Sequence, residues 1–325
     1  WVLRRGKESN LLVLSDKSCF DTLSHDFILK QLKGFPYINL VKRFLEAGYV
    51  DNGVYNETEE GTPQGGLLSP LLANIALHGM EQTLNISYKK ATKTKKNGEE
   101  KEYFRTNGNY RVVRYADDFV IFAKSKKNIL KVYELLEPYL NERGLTLAKD
   151  KTRITHLNDG FNFLGFNCRR YKDNVSRIIP SKESIKKFKD KLREIFKSSH
   201  GNNIDALIAR LIPVIRGTAN YWRYSASYKT FSDMDYYLGN KIYRFLRRLH
   251  PNKGWKWIKN RYFTYHKDDY GHTSKWILTD PKSGRFLIKM SWFKHRDYIM
   301  IKHDFSPYDR TKIEYFENRK ENYYF

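Results

Sequence analysis

Two adjacent carboxylates, Asp117 and Asp118, lie in the stretch Arg114-Tyr115-Ala116-Asp117-Asp118-Phe119-Val120-Ile121-Phe122. Val112 and Val113 precede it and the apolar run continues to Ala123, so the segment reads as two short strands joined by a tight turn that carries both acids. Adjacent carboxylates repel, and burial raises the cost of charging both unless a cation sits between them and a further ligand. A hard divalent ion such as Mg²⁺ suits that position, because it takes a few carboxylate oxygens and leaves its other sites to water and phosphates. An acidic turn closing an ordinary hairpin fits these residues equally well. Asp16, which follows the apolar run 11–14 after Ser15, is the natural third ligand, since a carboxylate at the end of a buried strand can meet a neighbouring hairpin. Asp21 fits a helix N-cap as readily.

The elements that must position these groups follow from apolar spacing. Helical patterns cover 25–32 and 37–50, and 51–60 is polar. Gly61-Thr62-Pro63-Gln64-Gly65-Gly66 forms a rigid loop that lets backbone approach a substrate, and it leads into an apolar run at helical spacing over 67–84. Gln64 is the residue of that loop without a packing reason. Residues 89–102 read as a solvated loop or hairpin turning at Asn97-Gly98. A helix is expected over 126–143, bent or ended by Pro138. A strand at 145–147, a basic turn over 149–154 and a strand at 161–166 follow.

After about residue 177 the composition shifts. An amphipathic basic helix spans 184–196, with Ile185, Phe188, Leu192 and Ile195 on one face. A second helix at 204–215 is expected to kink near Pro213, rings and guanidinium groups alternate over 215–224, and a third helix at 236–249 carries Arg244, Arg247 and Arg248. Trp255, Trp257, Trp276 and Trp292 stand among Lys and Arg in the remainder.

The chain has 325 residues, 40% of them hydrophobic, which is enough for real cores and excludes a disordered protein. Lys and Arg number 60 against 36 Asp and Glu, for a net charge of +24, and 24 Tyr, 20 Phe and 6 Trp accompany them. Basic charge interleaved with flat rings is the composition of a nucleic-acid binder, because phosphates need cations and unstacked bases need flat faces. No apolar run approaches the roughly 20 residues of a membrane span. Two cysteines, Cys19 and Cys168, make neither a disulfide framework nor a Cys-rich zinc site, which fits a reducing compartment.

In order, the chain holds an acid at a strand end, a Pro-Gln-Gly loop, an Asp-Asp hairpin, a Lys-Thr turn, a Phe-Leu-Gly-Phe strand and then basic helices. This set resembles the reverse transcriptases, and specifically the reverse transcriptase/maturase proteins encoded by group II introns. The resemblance is carried by Phe20-Asp21 with His25, by 61–77, 114–119, Gly144-Leu145 with Lys151-Thr152, 163–166, Ile215-Arg216-Gly217 with Ala219-Asn220-Tyr221, and Ser306-Pro307-Tyr308-Asp309 followed by Tyr315-Phe316. It implies a mixed α/β palm of a right-hand polymerase with partial fingers over 1–177, an α-helical thumb or maturase domain over 178–250, and a small basic RNA- or DNA-binding module over 251–325.

By resemblance, Asp16, Asp117 and Asp118 would hold two Mg²⁺ ions for phosphoryl transfer. Phe20, Gln64 and Lys151 would meet the nucleotide, and Tyr115, Phe163, Leu164 and Gly165 the primer and template. Arg216, Tyr221, Arg223, Tyr224, Arg244, Arg247 and Arg248 would contact RNA. The implied partners are group II intron RNA, an RNA template with a DNA primer, and deoxynucleoside triphosphates; target DNA and an N-terminal fingers segment on another chain stay open. No membrane is implied, and the compartment would be a bacterial cytoplasm or an organelle matrix.

Three departures qualify this. The family's acid usually stands five residues before the Phe of the Phe-Asp pair, where this chain has Ser15, and alternation of faces along a strand makes a one-residue slip consequential. The finger segments expected upstream of Trp1, and the cysteines of a downstream endonuclease, have no counterpart in these residues, so DNA cleavage is not expected. A second reading therefore stands beside the polymerase: a splicing maturase with an impaired catalytic site, acting only as an RNA-binding cofactor.

Overall fold

The computed structural model describes residues 10–15, 22–51, 53–58, 60–62, 67–94, 98, 100–147, 152–199, 201, 203–267, 271, 273–297, 301 and 305–324. The chain divides into two units, 1–159 with 300–325, and 160–299.

In the first unit the apolar run before Asp16 forms strand β1 (Asn10–Ser15). Helix α1 (His25–Gln31) begins where the Ser24 hydroxyl accepts from the Phe27 N–H. Helix α2 (Ile38–Glu46) is shorter than the sequence predicts. Gly48, at φ +65°, turns the chain into a hairpin of β2 (Tyr49–Asp51) and β3 (Val54–Asn56), and a Cβ there would collide with the Asn56 carbonyl oxygen. The apolar run at 67–84 likewise divides into α3 (Ser69–Ala76) and the single turn α4 (Met80–Thr83), because Gly79 between them takes φ +102°. The charged segment is a hairpin of β4 (Ser87–Thr94) and β5 (Glu100–Asn107).

Strands β6 (Tyr110–Tyr115) and β7 (Asp118–Ala123) then join β1 and β8 (Arg153–His156) in an antiparallel sheet of order β6-β7-β1-β8. Phe119 to Ala123 of β7 are all buried, which is why that strand reads as a continuous apolar run without alternation. Helix α5 (Lys126–Asn141), capped by Ser125, places Ile129, Val132, Leu136 and Leu140 against Phe119 and Ile121 of β7, Phe27 of α1 and Leu72 of α3. Pro138 lies inside α5 without ending it. The strand expected at 145–147 is irregular, with Leu145 buried in the core, and the strand that joins the sheet is β8.

Arg143 follows α5 and is itself buried. Its Nε donates to the Ala76 carbonyl at 2.8 Å and its Nη1 to the Tyr139 carbonyl at 2.5 Å. The guanidinium carbon lies 3.5 Å from the centroid of the Tyr139 ring and 4.3 Å from that of Phe27.

In the second unit β9 (Phe161–Phe163), β10 (Phe166–Arg170) and β11 (Ser176–Pro180) form an antiparallel sheet. Four helices follow: α6 (Lys182–Ser198), α7 (Ile204–Trp222), α8 (Tyr228–Leu249) and α9 (Trp255–Tyr262). A hairpin of β12 (Phe263–Lys267) and β13 (Thr273–Leu278) closes the set. On α6, Phe188, Leu192 and Ile195 are buried as its pattern predicts. Helix α7 runs past Pro213 and takes in most of the ring-and-guanidinium stretch, because Leu207, Leu211, Ile215, Ala219 and Trp222 keep one buried stripe throughout. Cys168 on β10 is buried, and burial pushes its thiol up to about 12, so it is a packing residue and not a nucleophile.

Residues 313–324 of the first unit form helix α10 (Ile313–Tyr324). Among the described residues no helix is long and apolar enough to cross a membrane.

Candidate active site and nucleic-acid interface

Strands β6 and β7 pair with Tyr115 opposite Asp118, which leaves Ala116 and Asp117 as a two-residue turn. Ala116 takes φ +53°, so the hairpin closes tightly enough to present both acids at one end of the sheet. On its other edge β7 meets β1, whose last residue, Ser15, is opposite Asp118. Asp118 is thus flanked by Tyr115 and Ser15. Asp117 and Asp118 are half-buried, and the Tyr115 side chain is exposed.

Arg114 braces the turn. Its Nη1 donates to the Ala116 carbonyl at 3.0 Å and to Asn74 Oδ1 at 2.9 Å, while Asn74 Nδ2 donates to the Pro70 carbonyl at 2.9 Å. The helix that follows the Pro-Gln-Gly loop is in this way fixed to the turn carrying the acids. Sequence reasoning missed both residues as a pair; the signal available was an arginine next to a two-acid turn, whose backbone carbonyls need a donor.

Asp16, Phe20, Gln64 and Lys151 lie outside the described residues, so the structure brings together Tyr115, Asp117 and Asp118 from the first set of candidates. Among the described residues no group of three or more His, Cys, Asp or Glu is positioned to hold a metal. The donor set Asp117 and Asp118 does fit a hard cation that expects two carboxylates and fills its remaining positions with water and phosphate.

In the second unit Phe163 pairs with Phe166, and Leu164 and Gly165 make the turn between β9 and β10 with φ +48° and +76°. Both values are positive, as the tightest hairpin turns require. The Gly165 carbonyl accepts from the Ser181 N–H at 3.0 Å and the Ser184 hydroxyl at 2.8 Å, which ties the turn to the start of α6. The Tyr221 hydroxyl donates to the Leu164 carbonyl at 2.8 Å, and its ring lies 5.0 Å from that of Phe166. Tyr221 therefore holds the turn while its ring stays 52% exposed.

The arginines of this unit divide by what they already bond. Arg223 Nε donates to the Lys294 carbonyl at 3.0 Å and Arg247 Nη1 to the Lys253 carbonyl at 2.7 Å. Arg216 and Arg244 are exposed and make no hydrogen bond or ion pair within the described residues, so their full charge faces solvent. Arg248 and Tyr224 are exposed as well.

An Asp-Asp hairpin set beside a strand that ends at the same point, braced by the helix after a Pro-Gln-Gly loop, belongs to a polymerase palm. The chain belongs to the reverse transcriptase (RNA-dependent DNA polymerase) family, whose pattern matches residues 2–168. Within that family it is of the group II intron-encoded kind: residues 185–263 match the group II intron maturase-specific domain. The group II intron-encoded protein LtrA of Lactococcus lactis subsp. cremoris is 33% identical in a match that covers 53% of this chain and 39% of that one. The COX1/OXI3 intron 1 protein of Saccharomyces cerevisiae is also 33% identical, over 51% of this chain and 25% of its own length. Protein YkfC of Escherichia coli is 34% identical, over 50% of this chain and 47% of its own. The chain thus spans less than half the length of each of these relatives.

Proposed function

We propose that this chain is an RNA-directed DNA polymerase that also serves as a maturase, binding group II intron RNA and extending a DNA primer on an RNA template. The observation that carries the reading is the register of the sheet. Ser15, the last described residue of β1, stands opposite Asp118 at the end of the hairpin that carries both acids. In this reading Asp16, Asp117 and Asp118 hold the Mg²⁺ ions, which supply charge stabilisation at the reacting phosphate and a more acidic 3′-hydroxyl. The chain's own part is to fix the carboxylates, and Arg114 does so by holding the turn to α3. Phe20, Gln64 and Lys151 would line the nucleotide, and Tyr115 and the Phe163-Leu164-Gly165 turn would support primer and template. The compartment is a bacterial cytoplasm or an organelle matrix.

The RNA-binding half of the proposal rests on the exposed cations of α7 and α8 together with exposed rings, a combination suited to structured RNA gripped through phosphates and unstacked bases. Arg216 and Arg223 differ in a way that can be measured. Replacing Arg216 by Ala is expected to weaken intron RNA binding and lower the salt slope by about one counterion. Replacing Arg223 by Ala should lower thermal stability as well, since its guanidinium also holds the Lys294 carbonyl. Filter binding over a salt series, alongside a melting curve, separates the two; an unchanged slope for Arg216→Ala would remove that face from the interface.

The impaired-maturase reading is favoured by one observation, the serine at position 15. Under it the same RNA affinity is expected with no primer extension by the intact chain.

A further inference from the structure

Strands β12 and β13 do not pair evenly. Thr264 pairs with Ile277 and His266 with Ser274, so Lys275 and Trp276 together stand against the single residue Tyr265. Trp276 takes φ +61°, a left-handed conformation that a bulky side chain rarely adopts. Bulges of this kind re-aim a side chain, and strain of this kind persists where the surroundings hold it and gathers at sites of function.

One side of the ribbon is packed: His266 stacks on Phe286 with ring centroids 4.0 Å apart, and Ser274 Oγ accepts from Trp292 Nε1 at 2.9 Å. Tyr265 and Trp276 are instead 62% and 48% exposed. Lys259 of α9 brings its ammonium 3.0 Å from the Trp276 ring centroid, over one face of the indole. Lys275 is exposed beside the rings. Flat, solvent-facing rings flanked by ammonium groups match the two chemical parts of a nucleotide, a π face and a phosphate.

We propose that the outward face of this hairpin, Trp276 and Tyr265 with Lys259 and Lys275, is a stacking site for an unpaired base of single-stranded nucleic acid. The occupant follows from the pairing of ring and charge. A duplex hides its base faces, and a lipid surface would want contiguous apolar area that the lysines interrupt. Tyr265, Lys275 and Trp276 lie beyond residues 185–263, which match the maturase-specific domain, and Lys259 lies near the end of that match. The site requires neither polymerisation nor intron recognition, so it stands or falls apart from the proposed function.

The test uses the full chain and fluorescence anisotropy with a short uridine-only RNA, a thymidine-only DNA of equal length, and a blunt duplex. Trp276→Ala is expected to weaken single-strand binding about tenfold on RNA, DNA or both, with duplex affinity and salt slope unchanged, because a stacked ring and no phosphate contact has been removed. Trp276→Gly accommodates the positive φ and should melt at a higher temperature than wild type while losing the same affinity, and Trp276→Phe should keep most of it. Wild-type affinity in both the Ala and Gly variants, or an equal loss on the duplex, overturns the proposal. So does unchanged oligonucleotide binding with lost binding to phosphatidylserine vesicles, which would assign the face to a membrane.

Discussion

Asp117→Asn is expected to abolish Mg²⁺-dependent primer extension, by about a thousandfold or more, while intron RNA affinity stays within about twofold of wild type. The magnitude is the several kcal/mol that a bound metal supplies to the transition state. The separation of the two effects follows from position. Asp117 sits in the turn between β6 and β7, half-buried and outside the ladder, so an amide of the same shape leaves the sheet intact. The cations proposed to hold RNA belong to α7 and α8, which are built on a separate core. Single-turnover extension and RNA binding on one preparation give both numbers. Parallel loss of extension and RNA affinity would mean that Asp117 is structural.

The second large effect is on stability. Arg143→Ala is expected to destabilise the first unit by about 4 kcal/mol or more. The buried carbonyls of Ala76 and Tyr139 lose their donors, at about 1–3 kcal/mol for each left unsatisfied. A desolvated cation over two rings adds about 2 kcal/mol. In a unit of this size that corresponds to a fall in melting temperature of about 10 °C. Arg143→Lys keeps the charge but cannot form the planar fork, so it should recover less than half of the loss. A change below about 1 kcal/mol in the alanine variant, read by denaturant titration, would show that water replaces the guanidinium at these carbonyls.

The parts of the fold legible in the sequence were those whose signal is local and periodic. The unbroken apolar run of β7, the alternation of strand and acid turn, and the stripe Phe188, Leu192 and Ile195 on α6 each specify a buried face by spacing alone. The breaks at Gly48 and Gly79 were not legible as breaks, because apolar periodicity carries no information about φ, and a glycine in a helical pattern is consistent with either outcome. The second helix of the second unit runs beyond its expected end at residue 215, because its stripe of buried residues continues through Pro213 to Trp222.

At the candidate site, Asp117 and Asp118 stood out by type and adjacency, and Tyr115 came with the resemblance. The residues that hold the turns did not stand out, since Arg114 meets Asn74 across 40 positions and Tyr221 meets Leu164 across 57. Nothing in either local window signals the partner. Tyr221 shows the consequence: an aromatic among arginines reads as a stacking residue, yet its hydroxyl is committed to a backbone carbonyl. Trp276 is the converse, one tryptophan among several in the sequence that becomes distinctive only through its backbone angle and the lysine over its ring.

The measurement that tests the central claim most directly is Mg²⁺-dependent extension of a DNA primer on an RNA template by the intact chain and by Asp16→Ala, with intron RNA affinity measured beside it. Extension by the wild type, lost in the variant while RNA affinity holds, is the expected result, and it would establish that the acid after β1 works with the Asp117-Asp118 hairpin despite Ser15. Tight RNA binding with no extension by the wild type would contradict the polymerase and leave a splicing cofactor on a palm that no longer polymerises.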